Sequence, residues 1–246
     1  MENRDIEKYT KDYTNTEYNF EKIMVFYRRK KILEILNKYK PKNILEIGCG
    51  MESIFNHYKD YENAIIIEPS KTFCDKAQKD CRNNVNIINN FLENEISSLQ
   101  KYEFDFIICS SLLHEVYNPN VFLKDIFKIC SQNTILHINT PNSNSFHLIW
   151  AYESGLIQRL GDLTHTSLKL QQNSTFNLNK LIDIVVANGG VVLDKGSYFI
   201  KPFNHSKMSL CLENKILDEK LLDGLYKISE YMPDLGAEIF VNAKIV

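Results

Sequence analysis

The segment Ile44–Gly50 constrains the fold of this chain more than any other stretch. It is an apolar run that is interrupted by Glu46 and ends in two glycines separated by one residue, Gly48 and Gly50. We interpret it as a buried parallel strand followed by a tight turn that opens a helix. Glycines in such a turn let the backbone approach a ligand where a side chain would clash. Because open α/β sheets bind ligands at the carboxyl ends of their strands, the segment predicts a ligand site there.

A second acidic residue indicates what kind of ligand this is. The run Ala64–Ile67 predicts another buried strand, and Glu68 follows it directly. A carboxylate at the end of the second strand can accept hydrogen bonds from both ribose hydroxyls. Glu68 lies 18 residues after Gly50, close to the spacing expected of a nucleotide site. The two strand-end acids and the glycine turn together indicate an adenosine-containing ligand.

The glycine turn does not complete the dinucleotide fingerprint. That fingerprint needs a third glycine, and Ser53 occupies the place. A nicotinamide-dependent dehydrogenase is therefore disfavoured, although it stays an alternative. A non-catalytic binding module that keeps the fold as a scaffold is a second alternative, because fold alone does not establish an activity.

The acid followed by Gly-x-Gly resembles the first motif of class I, Rossmann-like S-adenosylmethionine-dependent methyltransferases. The run Phe104–Ser111, which continues into His114, resembles the fourth motif of that family, especially in bacterial small-molecule enzymes. The resemblance covers about residues 40–200, with Glu52 where the family often has a third glycine. It implies S-adenosylmethionine as the cofactor. It also implies an α/β fold: a doubly wound, mostly parallel sheet with helices on both faces and an inserted lid.

The resemblance also implies roles for individual residues. Glu46 would serve the methionine end of the cofactor, and Glu68 would hold the ribose. An amide and an aromatic ring after the third strand, Asn90 and Phe91, would flank the adenine; a turn amide and a core phenylalanine are the alternative. The predicted cofactor-binding residues are Glu46, Gly48, Gly50, Glu68, Asn90, Phe91, Ser110 and Ser111.

His114 is the predicted catalytic residue. An unperturbed imidazole titrates near neutral pH, so His114 could take a proton from an acceptor hydroxyl. The alternative is a histidine that only packs beside the cofactor. The reaction implied is transfer of a methyl group from a sulfonium to a nucleophile, for which the protein aligns the reactants and excludes water.

Two segments are predicted to cover the cleft. Residues 1–40 form an N-terminal lid and a leading helix, and residues 41–246 form the methyltransferase domain. An insertion at about 142–172 is longer than an ordinary connection and is assigned to an acceptor lid, with dimerisation as the alternative. Acceptor contacts are predicted for His147, Glu153 and His165. Lys201 could hold a phosphate or carboxylate of the acceptor, but a surface position is favoured.

Periodicity places further elements along the chain. Helices are predicted over 21–39, from Pro119, from Asn177 to Gly189 and over 215–231. Strands are predicted at 85–88, 134–138, 191–193, 196–203 and 237–241.

Composition narrows the partners. The net charge is −2 and the chain has no long basic run, which argues against a nucleic-acid partner. No apolar run has the length of a membrane span, and the N-terminus is too polar for a signal peptide. None of the six cysteines forms a Cys-x-x-Cys pair, so no metal site is predicted and a cytoplasmic location is expected.

The sequence therefore predicts methyl transfer to a small molecule, with a homodimer possible. The favoured acceptor atom is an oxygen of a sugar or nucleotide-linked sugar in bacterial surface-polysaccharide biosynthesis. An amine or a phosphate-type oxygen is the alternative.

Overall fold

Seven strands form a single sheet in the computed structural model, which describes residues 5–14, 19–82, 84–163, 167–168 and 170–245. They are β1 (Asn43–Ile47), β2 (Asn63–Ile67), β3 (Val85–Ile88), β4 (Phe106–Ser110), β5 (Ile135–Pro141), β6 (Gly190–Tyr198) and β7 (Glu238–Ile245). The strand order is β3-β2-β1-β4-β5-β7-β6, and β7 runs antiparallel to both of its neighbours. The doubly wound, mostly parallel sheet predicted from the sequence is confirmed.

Helices connect these strands. They are α1 (Ile6–Thr14), α2 (Asn19–Tyr39), α3 (Lys71–Asp80), α4 (Leu92–Leu99), α5 (Pro119–Lys128), α6 (Phe146–Glu153), α7 (Leu178–Ala187), α8 (His205–Glu213) and α9 (Glu219–Lys227). Short 3₁₀ helices cover Ile54–Asn56 and Ile228–Glu230. Within the ranges given above, no helix is both long and apolar enough to cross a membrane.

Two apolar layers sandwich the sheet because alternate strand residues point to opposite faces. On one face, Ile44 and Ile66 belong to a core that includes Leu36 of α2 and Phe73 of α3. On the other face, Leu45 belongs to a second core that includes side chains of α5 and α7. The prediction of helices on both faces is therefore confirmed.

The strand order reverses at β1, which determines where a ligand can enter. β1 pairs with β2 on one side and with β4 on the other, all three in parallel. Glu46 lies beside Ile66 and Ile108 in this register. The segments that follow β1 and β4 turn to opposite faces of the sheet, so a crevice opens between the carboxyl ends of these two strands.

The sequence-based elements differ from the structure mainly after residue 189. The predicted strands 191–193 and 196–203 form one strand, β6, because Gly196 packs against the Phe240 ring and does not break the strand. The predicted helix 215–231 is confined to α9 and the short 3₁₀ turn that follows, because Asp218 caps α9 at the Leu221 amide. Helices α1, α4 and α8 were not predicted as helices.

Two glycines give a matched test of this packing. A Cβ at Gly236 would lie 2.4 Å from the Tyr198 amide nitrogen, whereas a Cβ at Gly224 in α9 would meet nothing within 4 Å. We expect Gly236→Ala to lower the free energy of unfolding by more than about 2 kcal/mol, since backbone atoms must move. Gly224→Ala should raise it by about 0.4–1 kcal/mol. Urea unfolding of both variants measures the difference, and equal effects would contradict the packing described.

Candidate active site

A left-handed turn ends β1. Gly48 has a φ of +75° and Gly50 a φ of +56°, a region that side-chain-bearing residues rarely adopt. The amide of Gly48 donates to the carbonyl of Ile67 over 2.9 Å, and this hydrogen bond ties the turn to the end of β2. A Cβ at Gly50 would enter open space, so the backbone borders the cleft there.

Glu46 binds the residues that follow this turn. Its carboxylate accepts a hydrogen bond from the Ser53 hydroxyl and a second, of 3.0 Å, from the Ile54 amide. These bonds fix the 3₁₀ helix that follows the turn. Burial raises the pKa of Glu46 to about 7, against the lowering effect of both hydrogen bonds. Glu46 also lines the cleft, as its predicted role requires.

Glu68 lies at the end of β2 and faces the same turn. Its carboxylate accepts hydrogen bonds from the amides of Gly50, at 3.2 Å, and Ser70, at 2.8 Å. The side chain is 5% exposed and lines the cleft. The carboxylate predicted to hold a ribose is thus fixed by backbone donors beside the glycine turn.

The remaining predicted cofactor residues follow β3 and β4 and line the same cleft. The side chain of Asn90 is used locally: its Oδ1 accepts from the Phe91 amide, and its Nδ2 donates to Glu95. The Phe91 ring is partly exposed. Ser111 adopts a φ of +52°, which is uncommon for a residue with a side chain. The structure therefore gathers the eight predicted cofactor residues around one cleft.

Glu52, where the methyltransferase family often has a third glycine, forms an ion pair with Arg29, and its carboxylate lies 2.9 Å from Nε2 of His57. A glycine is not required there, because the φ of Glu52 is not in the left-handed region. Arg29 also lines the cleft beside the turn, and its position was not predicted from the sequence.

His114 lies in the turn after β4 and is buried. Its carbonyl oxygen accepts from the amides of Asn173 and Ser174, which belong to the segment after the insertion. Its Nε2 lies 4.0 Å from the carboxylate of Glu115. The hydroxyl of Tyr9 donates to the same carboxylate over 3.2 Å.

Helix α1 contacts three separate parts of the cleft. Besides the bond from Tyr9, the hydroxyls of Thr10 and Ser70 lie 2.9 Å apart in a buried hydrogen bond. The side-chain amide of Gln171 donates to the Asp5 carbonyl, and its oxygen accepts from the Asp5 amide. These bonds connect the helix to the ends of β2 and β4 and to the insertion; its role as a lid stays a prediction.

Another part of the cleft is a polar chamber built by side chains of α2, α6, α8, β7 and the segment after β6. The side chains of this polar chamber are Glu21, Arg28, His147, Lys201, His205 and Glu238. At its base, Arg28 forms an ion pair with Glu238, with its Nε 2.9 and 3.0 Å from the two carboxylate oxygens.

Further bonds hold the Glu238 carboxylate in the polar chamber. It accepts a hydrogen bond of 2.6 Å from the Tyr198 hydroxyl and one of 3.1 Å from the side-chain amide of Asn139. Burial raises the pKa of this carboxyl, but the Arg28 guanidinium and these bonds lower it below its usual value. Glu238 is therefore a fixed, buried anion.

Lys201 is buried, with 7% of its surface exposed, so the favoured expectation of a surface lysine is wrong. Burial lowers the pKa of Lys201 to about 8, although Glu21 and Glu238 raise it. Burial, together with the nearby charge of Lys201, also lowers the pKa of His147 to about 2 and that of His205 to about 3. Both imidazoles are therefore neutral at pH 7.

The three predicted acceptor residues have different outcomes. His147 lines the polar chamber, and its Nδ1 lies 3.0 Å from the Ser145 hydroxyl. Glu153 does not reach the cleft: it is exposed and borders a separate cavity beside Trp150. The two residues differ because six positions along α6 place them about 120° apart. His165 lies outside the described residues.

The ion pair at the base of the polar chamber has a measurable stability effect. Glu238→Ala leaves Arg28 as a buried cation without its main partner, so we expect the free energy of unfolding to fall by about 3–5 kcal/mol. Urea unfolding monitored by circular dichroism measures this loss. Asp75→Asn, in the exposed pair with Lys71, should change stability by less than about 0.5 kcal/mol. A loss at Glu238 no larger than that of the control would contradict the assigned role.

Comparisons with known proteins agree with this geometry. The family model described as a methyltransferase domain matches residues 17–192, more than two thirds of the chain. No curated protein sequence matches. Solved structures with this fold include the plantazolicin methyltransferase BamL in complex with a triazolic desmethylPZN analog and SAH. It is 16% identical with a TM-score of 0.58, and the match covers 98% of this chain and 96% of BamL.

Another solved structure is a possible histamine N-methyltransferase from Thermotoga maritima. It is 18% identical with a TM-score of 0.56, and the match covers 92% of this chain and 94% of that one. Identities this low establish a shared fold only. The family match and the fold together confirm the resemblance seen in the sequence: the chain belongs to the methyltransferase-domain family of Rossmann-like, S-adenosylmethionine-dependent enzymes.

Proposed function

We propose that this protein transfers the methyl group of S-adenosylmethionine to a hydroxyl oxygen of a small sugar-like acceptor. The main support for this proposal is that one cleft, of about 1740 Å³, is lined by two regions of different chemical character. One region is the glycine turn with Glu68, and the other is the polar chamber. Ligand pockets commonly hold about 300–1,000 Å³, so this cleft has room for a donor and an acceptor together.

The residues of the first region fit the methyl donor. The left-handed backbone at Gly48 and Gly50 leaves open space beside the turn, and the fixed carboxylate of Glu68 can accept ribose hydroxyls. Asn90, Phe91, Ser110, Ser111 and Glu46 line the same cleft, and in this proposal the first two flank the adenine and the other three serve the methionine side. When bound, the donor supplies a methyl group already activated by a positive sulfur. The protein then aligns the acceptor and excludes water.

The charge of the polar chamber supports a neutral acceptor. Before the donor binds, the cations Arg28 and Lys201 are matched by the carboxylates Glu21 and Glu238, while both histidines are neutral. An acceptor with a net charge would leave an unbalanced charge in a buried site, which is costly. A polyhydroxylated ring can donate to the carboxylates and imidazoles and accept from the ammonium. The proposed role in surface-polysaccharide biosynthesis rests on the sequence resemblance alone.

An amine acceptor is the second candidate. The Glu21 carboxylate faces the polar chamber, and burial raises its pKa, so an entering ammonium group would stabilise its charged form. One structural neighbour is a possible histamine N-methyltransferase, although the likeness extends only to the fold. An amine must be neutral to attack the methyl group, whereas a hydroxyl oxygen needs a base such as the predicted His114.

Turnover with defined acceptors tests the function. Purified protein, isotope-labelled S-adenosylmethionine and a panel of sugars, nucleotide-linked sugars, sugar phosphates and amines are incubated, and label transfer is measured. We expect transfer to a sugar hydroxyl. Transfer to amines only would replace the proposal by the second candidate. Binding of the donor without transfer to any acceptor would favour a non-catalytic module.

A substitution at Glu68 tests the assigned donor site. Glu68→Gln keeps the size of the side chain but removes the charge that accepts ribose hydroxyls, and hydrogen bonds to charged groups contribute about 1.5–3 kcal/mol. We expect the Kd for S-adenosylhomocysteine to rise about tenfold to a hundredfold, measured by calorimetry. Glu62→Gln, an exposed residue before β2, is the matched control and should leave the Kd unchanged. A Glu68→Gln effect below twofold would remove Glu68 from the donor site.

A further inference from the structure

Lys201 is a largely buried lysine with no hydrogen-bond partner in the part of the chain that the structure describes. Its side chain lines the cleft, its residue surface is 93% buried, and the carboxylates Glu21 and Glu238 act on it through charge. A buried cation in this state is costly unless a ligand completes its surroundings. The side chain therefore indicates an oxygen-bearing or nitrogen-bearing ligand group in front of it.

The backbone before Lys201 is held in an unusual conformation. Phe199 is fully buried with a φ of +60°, a left-handed geometry that bulky residues rarely adopt. Its carbonyl accepts from the Ala237 amide over 2.8 Å, and the next amide, of Ile200, donates to the Leu225 carbonyl over 2.9 Å. These bonds hold the backbone directly after β6 and so fix the position from which the side chain of Lys201 reaches the cleft.

Charged and titratable groups face Lys201 from four neighbouring helices and strands. Glu21 and Arg28 come from α2, His147 from α6, His205 from α8 and Glu238 from β7. Arg28 and Glu238 neutralise each other, and both histidines are uncharged at pH 7. Glu21 also lies 3.4 Å from Arg28, and Glu21 and Glu238 are the two carboxylates that favour a positive charge on Lys201.

We propose that Lys201, as a neutral amine, is the general base that takes the hydroxyl proton of the acceptor. This inference rests on the proposed function. As the acceptor oxygen bonds to the methyl carbon, the sulfur–methyl bond breaks and its electron pair stays on sulfur. The acceptor O–H proton moves to the Lys201 nitrogen. The products are a methyl ether, S-adenosylhomocysteine and the Lys201 ammonium, which later returns its proton to solvent.

The charge balance of the cleft supports this assignment. Before transfer, the positive charge lies on the donor sulfur and Lys201 is neutral; afterwards the sulfur is neutral and Lys201 is positive. The net charge of the buried site is unchanged, so the reaction creates no isolated charge there. A cationic donor also disfavours a second cation nearby and so shifts Lys201 towards the neutral form.

Two alternative roles for Lys201 lead to different expected results. If His114 is the base, Lys201 has no need to lose its proton when the donor binds. If Lys201 instead holds an anionic group of the acceptor, its charge is what matters and arginine should replace it. The two arms of the experiment below separate these roles.

The first arm measures the protonation of Lys201 directly. Protein labelled with carbon-13 in lysine is titrated by NMR, alone and with S-adenosylmethionine or S-adenosylhomocysteine, and Lys201→Met identifies the Lys201 Cε signal. We expect the pKa with S-adenosylmethionine to be lower than with the uncharged S-adenosylhomocysteine by about one unit or more. An ammonium that persists above pH 9 in the S-adenosylmethionine complex would overturn the proposal. Failure of both ligands to bind would instead contradict the proposed function.

The second arm measures turnover with the acceptor from the label-transfer panel. Lys201→Met and Lys201→Arg should both lower kcat by about 10²- to 10⁴-fold, with KM little changed, because neither side chain can take the proton. The wild-type kcat should rise with pH through the pKa of Lys201 in the complex. Lys195→Met, at an exposed lysine on β6, the strand before Lys201, is the matched control and should keep full activity. Rescue by arginine, or an effect on KM alone, would overturn the proposal in favour of an anion-binding role.

Discussion

The reversal of strand order at β1 is the constraint on which the site depends. Because β2 and β4 flank β1 in parallel, three strands end at the same edge of the sheet. The chain must turn to opposite faces after β1 and β4, which leaves a crevice between their carboxyl ends. The left-handed glycines keep this crevice open, and Glu68 reaches the turn from the neighbouring strand. The same topology thus builds both the walls of the cleft and the proposed donor site.

A buried ion pair forms the base of the polar chamber. Arg28 on α2 and Glu238 at the start of β7 are 210 positions apart in the chain, and their contact connects the leading helix to the antiparallel edge of the sheet. Tyr198 and Asn139 complete the surroundings of the carboxylate. Buried charges cost free energy even when paired, so a network of this size is poorly explained by stability alone. Its placement beside Lys201 gives the polar chamber balanced charge.

The sequence predicted which residues line the cleft around the glycine turn better than it predicted those of the polar chamber. Glu46 and Glu68 could be placed because each directly follows or interrupts an apolar strand, and parallel strands bring their ends together. Lys201 could not be placed, because its burial results from α2, α6, α8 and β7 packing around it. The sequence around it, from Phe199 to Phe203, is strand-like, but β6 ends at Tyr198, directly before the left-handed Phe199.

Helix α6 shows the same limit in a different way. Its residues are apolar around most of the helix, so the pattern could not tell which face meets the cleft, and only His147 of the two predicted contacts lies there. Glu52 shows the reverse case: its departure from the family motif has little effect on the turn, because its backbone does not need a glycine.

A crystal structure of the complex with S-adenosylhomocysteine tests the central claim most directly, namely that donor and acceptor occupy the two regions of one cleft. The account predicts ribose hydroxyls within hydrogen-bonding distance of Glu68 and a sulfur atom that faces the polar chamber with Lys201. A ribose bound away from Glu68, or a sulfur that faces away from the polar chamber, would contradict it.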